Sequence, residues 1–136
     1  MWYNKAQPDL RTQLMSLRPQ FALAAQKVYN EWNVVPGQEI DDDLGGGGIC
    51  QDIADAIAQT VDSNIPNVEN HIVDSQGVGE QHVWVCVCNE ESCFDIDISP
   101  YIYERGGGYS WTKIPGVVFD PNMISITPQR YRPENF

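Results

Sequence analysis

Apolar residues recur with a helical period in the first quarter of the chain. Between residues 9 and 33 they fall at Leu10, Leu14, Leu17, Phe21, Ala24, Ala25, Val28, Tyr29 and Trp32. This spacing is typical of an amphipathic helix. Pro19 lies inside the pattern, so we expect two helices, or one kinked helix, with the proline in the first turn of the second. A third helix is predicted over 49–61, where one face carries Cys50, Ile53, Ala54, Ile57 and Val61.

Apolar and polar residues alternate in the second half of the chain. Two β-rich runs, 82-HVWVCVC-88 and 93-CFDIDIS-99, flank the turn residues 89-NEES-92, and this spacing predicts an antiparallel hairpin. Shorter strands are expected near 109–114, 116–119 and 123–126. Helices followed by strands predict an α+β fold, with N-terminal helices packed on an antiparallel sheet. We expect a single domain over 1–136, with its helical part at about 1–62 and its β part at about 71–127.

Composition and charge exclude several classes of protein. The content of 42% hydrophobic and 10% aromatic residues is that of a globular domain. The net charge of −11 argues against nucleic-acid binding, which needs clustered Lys and Arg. No apolar stretch reaches the roughly 20 residues of a membrane span, and the N-terminus does not resemble a secretory signal. We therefore expect a cytoplasmic protein without nucleic-acid or membrane partners, in which all four cysteines are thiols: Cys50, Cys86, Cys88 and Cys93.

Cys50 stands at the predicted start of the third helix, directly behind four glycines at 45–48 and Ile49. Unpaired amides and the helix dipole at such a position stabilise a thiolate. Glycines leave backbone amides uncovered, which suits an oxyanion pocket. The alternative is that Cys50 is a small apolar residue of the core.

A histidine and two aspartates are predicted to share one face of the hairpin. Side chains alternate along a strand, so the face that carries His82 also carries Trp84, Cys86 and Cys88. If the turn preserves this parity, Asp95 and Asp97 join the same face. Asp97 is nearer in register to His82, and it lies directly opposite if the turn is centred at 89–90. A carboxylate beside an imidazole is the arrangement that orients a general base, and the alternative is a structural or solvent-facing pair.

Three segments together resemble the transglutaminase-like and papain-like cysteine enzyme superfamily. They are 47-GGIC-50 at a helix start, 82-HVW-84 at a strand start and 94-FDID-97 in the following strand. The arylamine N-acetyltransferase branch shows a similar order of cysteine, histidine and aspartate. The resemblance covers residues 45–99 and implies a papain-like or transglutaminase-like core. It implies Cys50 as nucleophile, His82 as general base and acid, and Asp97 as orienting carboxylate, with Asp95 as the alternative acid.

The chemistry expected of such a site is cofactor-free acyl transfer on a protein or peptide substrate. Peptidase, deamidase and transglutaminase-type reactions all use these residues. The oxyanion would be held by the Cys50 amide, and further donors or substrate-lining residues are expected among Gln38, Gly48, Gln81 and Trp84. The glycine-rich segment 101–111 is either a substrate-lining flap or a hairpin tip. The alternative function is a non-catalytic acidic binding or structural domain derived from the same fold.

The cysteines of the hairpin also raise the possibility of a metal site. Cys86, Cys88 and Cys93, completed by His82 or Cys50, would form a Cys₃His zinc site. Zinc-binding pairs usually lie on turns with two intervening residues, whereas these cysteines lie in dense apolar strands. We therefore expect core thiols and no metal. A redox pair of Cys88 and Cys93 is not expected in a reducing cytosol either.

Overall fold

A computed structural model describes residues 9–32, 49–74, 82–107 and 110–130. Its helices are α1 (Leu10–Ser16), α2 (Arg18–Glu31) and α3 (Cys50–Asn64). Its strands are β1 (Glu69–Asp74), β2 (Val83–Cys88), β3 (Cys93–Asp97), β4 (Glu104–Gly107), β5 (Ser110–Lys113) and β6 (Ser125–Pro128). Short 3₁₀ helices occupy Pro100–Ile102 and Pro121–Met123. The predicted mixture of helices and an antiparallel sheet is confirmed.

Local sequence signals account for the boundaries of the helices. Asp9 caps α1, since its carboxylate accepts a 2.8 Å hydrogen bond from the Thr12 amide. Pro19 lies in the first turn of α2, where a missing amide hydrogen costs nothing, so the two-helix alternative is the correct one. Helix α3 runs three residues beyond its predicted end at Val61 and stops at Asn64. Ile65 is extended because the following residue, Pro66, disfavours helical backbone before it.

The strands form two antiparallel sheets. The larger has the order β1-β2-β3-β6, and β4 and β5 form a separate hairpin. Segment 101–111 therefore belongs to a hairpin, although its tip at 108–109 lies outside the described residues. Strand β1 has no counterpart among the predicted strands, because Val73 is its only buried residue and its alternation is weak.

The strand predicted over 116–119 is wrong. Gly116 has a positive φ of 76° in a turn, which breaks the extended backbone. The Phe119 amide then donates to the side-chain oxygen of Gln26 on α2 at 2.8 Å instead of to a neighbouring strand. This segment ties the region after β5 to α2.

The larger sheet presents an apolar face to the helices and a mixed face on its other side. Val85, Val87, Ile96 and Ile126 belong to the main core with residues from all three helices, among them Leu14, Phe21, Ile53, Ile57 and Val61. Each of these fully buried side chains contributes about 1.5–3 kcal/mol. The opposite face carries the smaller cluster of Val73, Trp84, Cys86 and Cys88. The predicted separation of the valines from the Trp84 face is confirmed.

The register of the β2–β3 hairpin differs from the one that places Asp97 opposite His82. Cys88 pairs with Cys93 and Val85 with Ile96, so the turn is centred between Glu90 and Glu91. The Asn89 side chain fixes this turn by accepting 2.8 Å hydrogen bonds from the amides of Glu91 and Ser92. Relative to a turn centred at 89–90, the pairing moves by two residues, which keeps every side chain on its predicted face. Asp97 consequently lies diagonally across from His82.

The expectation of four thiols is wrong. Cys88 and Cys93 form a disulfide with an S–S distance of 2.06 Å, while Cys50 and Cys86 remain free. The expectation rested on the redox compartment, whereas the hairpin register places these two cysteines directly opposite each other with a Cα–Cα distance of 4.1 Å. The Cys86, Cys88 and Cys93 sulfur atoms do lie within 4.8 Å of one another, but two of them are joined in this bond.

The disulfide should contribute measurably to stability. In a chain-entropy account, a bond that closes so short a loop contributes roughly 2 kcal/mol. We expect the double variant Cys88→Ser/Cys93→Ser to lose about that much free energy of unfolding in denaturant titrations. The unreduced, denatured protein should show the two free thiols of Cys50 and Cys86 to a colorimetric thiol reagent. A count of four thiols before reduction would contradict the assignment.

Candidate active site

Cys50 is the first residue of α3 and is partly exposed. Ile49 precedes it as the N-cap residue and supplies no side-chain hydrogen bond to the helix. Ile49 and Ile53 are both buried in the main core and fix the direction in which the helix begins. The cysteine sulfur therefore stands at a helix N-terminus, where amide donors and the helix dipole favour negative charge.

His82 lies immediately before β2, at the end of the sheet that α3 reaches. Its Nε2 atom is 2.6 Å from Oδ1 of Asp97, the last residue of β3. Cys50 lies close enough to the same ring to raise its pKa. Because Asp97 engages Nε2, the buried Nδ1 is the ring nitrogen available to a thiol. The structure thus brings together Cys50, His82 and Asp97, the three residues singled out in the sequence.

The surroundings of His82 favour its protonated form. Burial alone lowers the pKa of the ring, but the hydrogen bonds to Asp97 and Cys50 and their negative charges outweigh it. The net effect raises the pKa from 6.5 to about 9. At neutral pH the ring is therefore an imidazolium ion between a sulfur and a carboxylate.

Arg130, which the sequence does not single out, anchors the carboxylate that holds His82. Its Nη2 atom lies 3.3 Å from Oδ2 of Asp97, so the two oxygens of Asp97 are divided between the histidine and the arginine. Its Nε and its backbone amide donate to Oδ2 of Asp95 at 3.0 and 2.9 Å. The alternative acid, Asp95, is fully buried and contacts Arg130 and the Cys86 thiol. Asp97 is thus the carboxylate that orients the ring.

The Trp84 side chain packs against both Arg130 and His82. The Arg130 guanidinium lies 4.7 Å from the centre of the indole, in a cation–π contact. The indole and the His82 ring have centroids 5.8 Å apart. Only 7% of Trp84 is exposed, and the same side chain also packs in the smaller apolar cluster with Val73 and Cys86. Its proposed role in lining a substrate remains a prediction.

Two buried residues at the start of β4 also belong to the site. Glu104 is buried, and burial raises the pKa of its carboxyl to about 7, although the charge of His82 lowers it. Tyr103 is buried as well, and the pKa of its hydroxyl is raised by burial and by the charges of Glu104, Cys50 and Asp97. Glu104 was missed because its local sequence, followed by Arg105 and the glycine run 106–108, gives no sign that the residue is buried.

Three of the residues proposed from the sequence as oxyanion donors or substrate contacts, Gln38, Gly48 and Gln81, lie outside the described residues. Their roles as oxyanion donors or substrate contacts remain predictions. The part of the site that the structure describes is formed by α3, β2, β3, β4 and the residue Arg130 after β6.

No family model, curated protein or solved structure matches this chain. None of the helices in the described part of the chain has the length and apolarity needed to span a membrane. What the site can do chemically therefore follows from its own geometry.

The raised pKa of His82 should make stability depend on pH. The ring has a pKa of 6.5 when unfolded and about 9 in the folded protein, so its stabilising effect is complete below 6.5 and is lost as the pH rises through 9. We expect the contribution of His82 to the free energy of unfolding to fall by up to about 3 kcal/mol across this window. Denaturant titrations at several pH values should show this slope, and His82→Ala should remove it. Equal slopes in His82→Ala and in the control His71→Ala would contradict the assignment.

Loss of Arg130 should destabilise the fold, because the buried carboxylate of Asp95 is then left without this cation. Arg130→Leu leaves Asp95 without its described cation, and we expect a loss of about 2–3 kcal/mol, since the arginine side chain is itself 49% exposed. Asp95→Leu in the same background should recover part of this loss, because the stranded charge is then gone. Thermal or denaturant unfolding of the wild type, the two single variants and the double variant measures the coupling free energy between Arg130 and Asp95. Strictly additive losses would contradict a direct ion pair.

Proposed function

We propose that this protein is a cysteine-dependent acyl-transfer enzyme that acts on an amide or ester carbonyl through a Cys50–His82–Asp97 triad. The observation that carries the proposal is the 2.6 Å contact between His82 Nε2 and Asp97 Oδ1, next to a cysteine at a helix N-terminus that is close enough to raise the pKa of the ring. A nucleophile, a base within hydrogen-bond reach and a third group that orients the base are the recurring parts of such enzymes.

The reaction begins with attack of the Cys50 sulfur on the carbonyl carbon of the substrate. The imidazolium ion of His82 stabilises the negative charge of the attacking sulfur. Negative charge then develops on the carbonyl oxygen, and the amides at the N-terminus of α3, including that of Cys50, are suited to stabilise it. His82 next donates its proton to the leaving amine or alcohol, and a thioester with Cys50 remains.

The thioester is resolved by water or by an amine. His82, now neutral, accepts the proton of this second nucleophile, and the acyl group leaves the sulfur. Water gives hydrolysis or deamidation, and an amine gives transamidation, so the three reactions differ only in the acceptor. The proposed substrates are proteins or peptides.

Asp97 and Arg130 act on the histidine rather than on the substrate. Asp97 holds the ring through Nε2 and stabilises its positive charge. Arg130 holds the other oxygen of Asp97, so the carboxylate cannot rotate without losing one of its two partners. This is a positioning role for Arg130.

Reactivity of Cys50 tests the proposal without knowledge of the substrate. At pH 7, we expect iodoacetamide to alkylate Cys50 roughly tenfold faster than it alkylates an unstructured thiol. His82→Ala should abolish the acceleration, and Asp97→Asn should reduce it, while the control His71→Ala should leave it unchanged. Peptide mass spectrometry assigns the site. Cys86 is an internal control, because burial and the neighbouring Asp95 raise the pKa of its thiol to about 12.

Two outcomes would overturn the enzyme proposal. One is that Cys50 reacts no faster than an unstructured thiol and is insensitive to His82→Ala, as expected of a non-catalytic acidic binding domain. The other is that Cys50→Ala loses thermal stability as a core residue would, by several kcal/mol. A folded Cys50→Ala variant gives the inactive control for substrate screens.

A further inference from the structure

The triad leaves one buried acidic group unexplained, Glu104. Only 3% of this residue is exposed, and its Oε2 atom is buried without a hydrogen-bond partner in the described part of the chain. An unsatisfied buried carboxyl group costs free energy that a hydrocarbon side chain would not. A buried carboxyl group without a hydrogen-bond partner that interacts electrostatically with His82 is a candidate for contact with a ligand.

Electrostatic interactions connect Glu104 and its neighbour Tyr103 with the residues of the proposed triad. The charge of His82 acts on its carboxyl group. The neighbouring Tyr103 hydroxyl is subject to the charges of Glu104, of Cys50 on α3 and of Asp97 on β3. The carboxyl group of Glu104 is therefore part of the same electrostatic environment as the nucleophile.

Three described cations of this region, Lys113, Arg130 and His82, are committed to other groups. Lys113 is its register partner across the hairpin, but its Nζ atom bonds the Trp32 carbonyl at 2.9 Å and lies 4.3 Å from the centre of the Tyr29 ring. Arg130 pairs with Asp95 and Asp97, and His82 bonds Asp97. These two cations balance two carboxylates. Ionisation of Glu104 would therefore add a negative charge that neither of these two cations balances.

We propose that Glu104 is a substrate-binding residue that accepts an ammonium group lying next to the carbonyl attacked by Cys50. The inference rests on the proposed function and adds the chemical class of the substrate, an acyl compound with a positively charged nitrogen near the reacting bond. An ammonium group supplies both the charge and the N–H donor that Oε2 lacks. A substrate with a carboxylate in this position is repelled.

Binding of the cation depends on pH in a defined direction. Burial raises the pKa of Glu104 to about 7, so a large fraction of the free site is protonated near neutrality. A bound cation stabilises the ionised form. Selectivity for cations therefore increases as the pH rises through 7, with His82, Cys50, Tyr103 and Asp97 as the other titratable groups that face this region.

Charged thiol reagents of similar size test the proposal. Cys50 is modified with the 2-aminoethyl, 2-hydroxyethyl and 2-sulfonatoethyl methanethiosulfonates, which carry a positive, no and a negative charge. We expect the ratio of the cationic to the anionic rate in the wild type to exceed that of an unstructured thiol by roughly tenfold. Glu104→Gln should bring the ratio close to the unstructured value, whereas Glu104→Asp should retain most of it. Glu69→Gln removes the same charge from an exposed site on β1 and should change nothing.

The neutral reagent separates failure of this inference from failure of the proposed function. A fast neutral rate that falls in His82→Ala supports the triad, whatever the ratio. A ratio that is the same in wild type and Glu104→Gln overturns the ammonium site and leaves the triad standing. If Glu104→Gln does not fold, the pH dependence in the wild type tests the inference. A ratio of cationic to anionic reagent rates that stays constant from well below to well above pH 7 overturns it.

Discussion

The hydrogen bond between His82 and Asp97 forms only if several features of the fold are in place. β2 and β3 must be antiparallel neighbours with a register that leaves the two side chains diagonal to each other. The first turn of α3 must reach the same end of the sheet, so that Cys50 meets the ring. Both partners of the bond are largely buried, with side-chain exposures of 14% and 11%, so water competes weakly for it. The apolar packing of α3 on β2 and the turn at Asn89 both serve this geometry.

The protein is acidic overall, but two of its cations lie against the aspartates of the candidate site. The chain has 19 acidic and only 8 basic residues. Yet Arg130 and His82 both lie against the aspartates of β3, and one of those aspartates is fully buried. In a region of low dielectric, these few cations have a larger effect than their number suggests. The acidic surface and the cation-stabilised interior are therefore separate features of the molecule.

The helices, the β2–β3 hairpin and the common face of His82 and Asp97 could be predicted from the sequence, because each is governed by local periodicity or by side-chain parity. Parity placed Asp97 on the histidine face even though the assumed turn centre was off by one position. The disulfide between Cys88 and Cys93 was not expected because a reducing compartment was assumed, whereas the register that the Asn89 turn selects places the two cysteines opposite each other. Arg130 and Glu104 were missed for a related reason: both are brought to the site by long-range topology, from β6 and from the β4–β5 hairpin. Nothing in their local sequence marks them.

The order in which the site is assembled follows from where its parts lie along the chain. Cys50 and His82 are synthesised well before Arg130, which follows the final described strand and lies 33 residues after Asp97. A nascent chain on the ribosome thus contains the sulfur and the imidazole while the guanidinium that fixes Asp97 has yet to emerge. The complete set of contacts around Asp97 therefore requires β6 at the edge of the sheet. Without that strand, Asp97 would keep its contact with His82 but lose its contact with Arg130.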